Sequence, residues 1–102
     1  MDAAVSAIAE PHRRAILGLI ATSELSAGEI AGHFDVTRPA ISQHLAVLRS
    51  AGLVTERRAG TRRFYRARPE GLTGLRKWLD TFWRDGLAQL RIEAEREAKR
   101  TR

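Results

Sequence analysis

The sequence predicts a mainly α-helical domain carrying a small β-hairpin, in the order α-α-α-α-β-β-α. Three observations predict it. Helix-start signatures stand at Ser26 and Thr37, close enough that only a short helix and a turn fit between them. Two β-forming runs, Leu53–Arg58 and Arg63–Ala67, flank a glycine-containing connection. A stripe of leucines and aromatics, spaced mostly by three and four, runs through the C-terminal third.

Taken in order, residues 3–9 read as a short helix. Pro11 suits the first turn of a second helix, where its missing N–H is not needed; this helix is expected to reach about Thr22 and to bury Ile16, Leu17, Leu19 and Ile20. Ser26-Ala27-Gly28-Glu29 has the form of a capping box and starts a third helix carrying Ile30, Ala31 and Phe34. Asp35 follows, a residue that tolerates a left-handed turn. Thr37 then caps a fourth helix with Pro39 in its first turn, and Gly52 stops it. The strands are joined through Ala59-Gly60-Thr61-Arg62. Pro69 opens a last helix that runs to about Glu95 through Leu72, Leu75, Leu79, Phe82, Trp83, Leu87 and Leu90, widened by Trp78. Gly71, Gly74 and Gly86 each weaken it by about 1 kcal/mol relative to alanine. From Arg91 onward eight of the twelve residues are charged, and residues 96–102 are expected to fray.

The chain of 102 residues is enough for one domain with a modest core, and domains of this size often gain stability by oligomerising. The formal net charge of +6 points to a polyanionic partner. There is no cysteine, which excludes disulfides, thiolate metal sites and cysteine nucleophiles. No apolar run is long enough to cross a bilayer and no secretory signal is visible, so the expected location is the cytoplasm. Serines, histidines and carboxylates form no catalytic constellation; Asp80 and Asp85 read as exposed charges, and no enzyme activity is expected.

The third and fourth helices form a helix-turn-helix candidate. At 100° per residue, Ile41, Leu45 and Leu48 share one face of the fourth helix and must point inward. Pro39, Ser42, Gln43, Ala46 and Ser50 then point outward, with Arg38 and Arg49 at the margin and His44 at the edge of the apolar stripe. Small polar side chains let such a helix enter a major groove, where Gln43 can pair with adenine and Arg38 with guanine. Directly after it, Arg57, Arg58, Arg62, Arg63, Arg66 and Arg68 place six positive charges on the hairpin with only Glu56 beside them in sequence, enough to follow a phosphate backbone. The candidate nucleic-acid contacts are therefore Thr37, Arg38, Ser42, Gln43, His44, Arg49, Arg57, Arg58, Arg62 and Arg63. His12, His33 and His44 have no i, i+4 spacing; His12 and His33 read as surface residues, and no metal or other cofactor is expected.

The runs Glu10-Pro11-His12-Arg13-Arg14-Ala15-Ile16-Leu17, Ser26–Ala31, Thr37–Leu48 with its Ser-Gln-His-Leu, and Ala51-Gly52-Leu53-Val54 before a basic hairpin together resemble the ArsR-type winged helix-turn-helix repressors, from Glu10 to about Leu79. The resemblance implies a homodimer built on the first and last helices, binding double-stranded DNA at an inverted-repeat operator and repressing transcription, often of its own operon. The dimer would use residues 1–9 and 69–95, through Val5, Ile8, Leu75, Leu79, Phe82, Trp83, Leu87 and Leu90. Metal-sensing members of this family carry a cysteine pair in the third helix or histidines on the last one, and neither pattern is present. Two alternatives stay open from sequence: a ligand- or metal-responsive regulator with an atypical interface site, and a protein-interaction module using Trp78, Phe82 and Trp83.

Overall fold

The computed structural model describes residues 1–100. Its elements are α1 (Asp2–Ile8), α2 (Pro11–Ile20), β1 (Leu25–Ser26), α3 (Ala27–Ala31), α4 (Arg38–Ser50), β2 (Val54–Ala59), β3 (Arg62–Ala67), a 3₁₀ turn (Pro69–Leu72) and α5 (Thr73–Arg100). The result is a mostly helical winged helix-turn-helix.

The short helices are held by their ends. Glu10 caps α2 through Arg13 N–H at 2.9 Å. Arg13 Nε donates to Ala7 O at 2.6 Å and Arg14 Nη1 to Ile8 O at 2.7 Å, so two side chains of α2 satisfy carbonyls at the end of seven-residue α1. The capping box of α3 is formed in both directions, with Ser26 N donating to Glu29 Oε1 at 3.1 Å and Glu29 N donating to Ser26 Oγ at 3.2 Å. Thr37 caps α4 by accepting from Ala40 N at 3.3 Å. At the other end of α4, Leu53 N reaches Leu48 O and Gly52 N reaches Arg49 O, both at 3.0 Å, with Gly52 at φ 76°. This is a Schellman closure, and it needs the left-handed conformation glycine adopts freely.

The core lies between α1, α2, α3, α4 and the base of the sheet. Ile16, Ile20, Ile30, Ile41, Leu45, Leu48 and Leu53 are its fully buried large side chains. The inward face predicted for α4 is therefore the face observed.

Five expectations from sequence are corrected. Asp35 adopts no positive φ; the end of α3 tightens instead through His33 N to Ile30 O and Phe34 N to Ala31 O, so the turn needs no left-handed residue. The hairpin connection shrinks to Gly60-Thr61, because Ala59 pairs with Arg62 and Gly60 supplies the positive φ of 64°. The hairpin is also not alone: β1 pairs antiparallel with β3, Leu25 opposite Tyr65, giving a three-stranded sheet of order β1-β3-β2. Pro69 opens the 3₁₀ turn rather than α5, and Gly71 lies in that turn, outside the helix it was expected to weaken. Finally, α5 is continuous through Gly86 and helical to Arg100, past the point where fraying was expected. Arg91 and Glu95, 3.3 Å apart, and Glu97 and Arg100, 3.9 Å apart, are among the pairs along that segment. Residues 101–102 of the expected frayed tail lie outside the described residues.

No described residue of α5 is buried. The radius of gyration is 19.7 Å, against about 13 Å for a compact chain of 100 residues. The excess comes from α5, about 42 Å long at 1.5 Å per residue, which projects from the body with Trp78, Phe82, Trp83, Leu87 and Leu90 more than half exposed. Trp78 and Phe82 stack on each other at 5.4 Å.

Candidate nucleic-acid interface

Helix α4 presents Pro39, Ser42, Gln43, Ala46 and Ser50 to solvent while Ile41, Leu45 and Leu48 anchor it. A cleft of about 620 Å³ separates its N-terminal half from the hairpin. Arg38 and Ser42 line one side, Arg62 and Arg63 the other, with Glu29 between them. Four of the ten predicted contact residues thus converge on one cleft.

The strand register sorts the arginines by face. Arg58 pairs with Arg63, and Glu56 with Tyr65, so these four share one face of the hairpin. Arg57 pairs with Phe64, and with Arg62 they occupy the opposite face. Phe64 orders that second face: the Arg57 and Arg62 guanidinium carbons lie 4.9 and 5.0 Å from its ring centroid. Sequence reasoning missed Phe64, although its alternation with Arg62 and Arg66 was a visible signal.

Glu56 is not the only acid near these arginines. It meets Arg49 at 2.7 Å and Arg58 and Arg63 at 3.6 Å each. Glu24 binds Arg57 at 2.6 Å and Glu29 approaches Arg62 at 3.6 Å. The Arg57 hydrogen bond holds Glu24 below the usual carboxylate range, and the Glu24 carboxylate pushes Arg57 up. Glu29 is held low chiefly by the Ser26 backbone N–H. Glu24 and Glu29 therefore remain charged at neutral pH. Arg68 plays a different part, donating to Gly52 O at 3.2 Å and tying the end of the wing to the end of α4. Arg66 is exposed on the wing.

The remaining predicted residues are placed unevenly. Thr37 is exposed, but its hydroxyl is engaged in capping. His44 turns away from the outward face toward α2, its Nδ1 3.9 Å from Glu10 Oε2. His33 is exposed as expected, whereas His12 is half-buried, its ring parallel to that of His44 within 8° at 5.7 Å. His12 Nδ1 lies 2.9 Å from Glu10 Oε1, and this hydrogen bond, with that from the Arg13 backbone N–H and the charges of the two histidines, outweighs desolvation and lowers the pKa of the Glu10 carboxyl to about 2. The i, i+4 test applies within one helix and could not find a pair brought together from α2 and α4.

A helix-turn-helix with an exposed small polar face, next to an arginine-lined wing, defines a DNA-binding regulator of transcription. Comparison with known proteins agrees. The family model described as "Bacterial regulatory protein, arsR family" matches residues 10–56. The chain is 50% identical over 97 residues to the HTH-type transcriptional regulator Rv2034 of Mycobacterium tuberculosis, covering 92% of this chain and 90% of that protein. It is 34% identical over 86 residues to the transcriptional repressor SdpR of Bacillus subtilis, covering 84% and 96% respectively. A crystal structure described as a possible transcriptional regulator for arsenical resistance superposes with a TM-score of 0.74 at 44% identity, over 91% of this chain and 96% of that one. An ArsR-like transcriptional regulator from Rhodococcus sp. RHA1 gives 0.77 at 29% identity, over 92% and 89%. The chain belongs to the ArsR family, and it is a transcriptional regulator rather than an enzyme. Among the described residues, no helix is long and apolar enough to cross a membrane.

Proposed function

We propose that the protein is a cytoplasmic homodimeric repressor that occupies an inverted-repeat operator. The observation that carries the reading of the site is the cleft shared by Arg38, Ser42, Arg62 and Arg63 beside exposed Gln43. In this reading α4 enters the major groove, Gln43 and Arg38 read base edges, and Arg49, Arg57, Arg58, Arg62 and Arg63 follow the phosphates. Two symmetry-related α4 helices would meet successive major grooves about 34–36 Å apart.

The dimer would form along α5. Leu79, Phe82, Trp83, Leu87 and Leu90 are exposed there, and Val5 is exposed on α1. Ile8 and Leu75 are half-buried and line, with Leu72, Leu79 and Trp83, an apolar groove of about 700 Å³ that a partner helix would fill. Repression follows the similarity to a named repressor. A relative named as a transcriptional activator, HlyU of Vibrio cholerae, is 39% identical over 61 residues, so the sign of regulation is read with a reporter fused to the protein's own upstream DNA. Reporter output should fall when the protein is expressed; a rise makes it an activator.

The two kinds of contact are separable. Gln43→Ala should cost about 1–3 kcal/mol on the operator and relax base preference at its position. Arg62→Ala should weaken binding to every sequence alike and reduce the slope of log K against log salt by about one unit. Fluorescence anisotropy on operator and random duplexes across a salt series measures both. Equal affinity of the unmodified protein for the two duplexes at all salt concentrations would exclude operator recognition.

A further inference from the structure

The cluster formed by Glu10, His12 and His44 lies outside the cleft and is unused by the reading above. Glu10 stands at the start of α2, His12 in its first turn, and His44 midway along α4, so the fold joins positions that are distant in the chain. One donor atom from each falls within 4.8 Å of the other two. Both Nδ1 atoms face the same carboxylate, at 2.9 Å for His12 and 3.9 Å for His44. In a tetrahedral zinc site with bonds of about 2.0–2.2 Å, donor atoms stand about 3.3–3.6 Å apart. The His12 and His44 rings are parallel within 8°, so closing the set requires the two rings to turn toward a shared point as well as the donor atoms to draw closer.

We propose that Glu10, His12 and His44 form a site for one divalent transition-metal ion of the zinc class. Two imidazoles and a carboxylate suit zinc, cobalt or nickel and, without a thiolate, do not favour copper(I). The side chains are 30%, 44% and 20% exposed respectively, so water reaches a fourth position. The hydrogen bond to Glu10 holds His12, and the ring stack holds His44 beside it; a shared ion would in addition draw in the His44 Nδ1, which stands 3.9 Å from the same carboxylate. An ion there ties the first turn of α2 to α4, next to Gln43. The site uses neither cysteines nor residues of α5.

The test is metal titration of the full chain, purified without a polyhistidine tag. Zinc is followed by competition with a chromophoric chelator, and cobalt by its ligand-field absorption. The expected result is one saturable ion per chain with the intense visible bands of four-coordinate cobalt. His12→Gln and His44→Gln should each weaken zinc binding about tenfold or more, while His33→Gln, at an exposed position that is not part of the cluster, leaves it unchanged. Metal-free thermal melts show whether each variant still folds, and if one does not, the other carries the comparison. Absence of saturable binding, or equal zinc affinity in His12→Gln, His33→Gln and the unmodified chain, overturns the proposal. Because the readout is metal binding, failure here leaves the operator reading intact, and failure of operator recognition leaves the site intact.

Discussion

Trp83→Glu is expected to split the proposed dimer into monomers and to reduce operator affinity to the level of random DNA. Trp83 is 61% exposed at the centre of the α5 stripe, flanked by Leu79, Phe82, Leu87 and Leu90. Full burial of a tryptophan covers about 150–250 Å², and at about 25 cal/mol per Å² the exposed part corresponds to about 2–4 kcal/mol. A symmetric interface loses that twice and gains two unpaired carboxylates, each with a desolvation penalty of several kcal/mol. A dimer constant weakened about a thousandfold requires only about 4 kcal/mol. The winged-helix body should be unaffected, because no described residue of α5 is buried within it. Sedimentation velocity with a matched thermal melt checks both statements. If the Trp83→Glu variant still sediments as a dimer, the seam lies elsewhere and the exposed aromatics serve another protein. If the unmodified chain is a monomer, the interaction-module alternative gains the support that the dimer loses.

Gly71→Ala is expected to be the most damaging single methyl group in the protein. A Cβ at Gly71 would collide with the Gly52 carbonyl oxygen and lie 2.8 Å from Leu53 Cδ2. Neither can retreat cheaply. Gly52 is held by the Schellman closure of α4, its carbonyl already accepts from Arg68, and Leu53 is in the core. Overpacking against fixed atoms typically costs about 1–3 kcal/mol, and the upper part of that range applies where backbone is the obstacle. For a domain of this size the melting temperature should fall by about 10–20 °C. Gly86→Ala is the internal control: nothing lies within 4 Å of its added Cβ, and removing glycine from a helix interior favours the helix by about 1 kcal/mol. Calorimetry on both variants settles the matter; an unchanged melt for Gly71→Ala would mean that the 3₁₀ turn yields without cost.

What could be read from sequence and what could not divides by range. The capping box at Ser26, the Thr37 cap, the stop at Gly52 and the inward face of α4 are written within a few neighbouring residues, and all four are observed. The arginine cluster is likewise local. Its acidic partners are not: Glu24 reaches Arg57 across 33 positions, through a sheet edge made by the two residues of β1, too short for any periodicity to announce. The stacking of His12 on His44 depends on how α2 crosses α4, and the collision at Gly71 depends on where the chain returns after the wing. In these cases the residue types were visible, but the contact belongs to the tertiary arrangement.

The ion pairs and the Phe64 ring limit the disorder of the wing before any duplex arrives. A free arginine carries about 2 kcal/mol of rotamer entropy, which any phosphate contact must overcome. Arg57 is already confined by two hydrogen bonds to Glu24 and by the face of Phe64, and Arg49 by Glu56. Part of the ordering that a duplex would otherwise impose is thus completed when the chain folds, as in any preorganised binder. In the proposed complex, Arg57 on the wing and Arg49 on α4 would meet the duplex already restricted to a few directions, and association should carry a smaller entropic penalty than with unrestrained arginines.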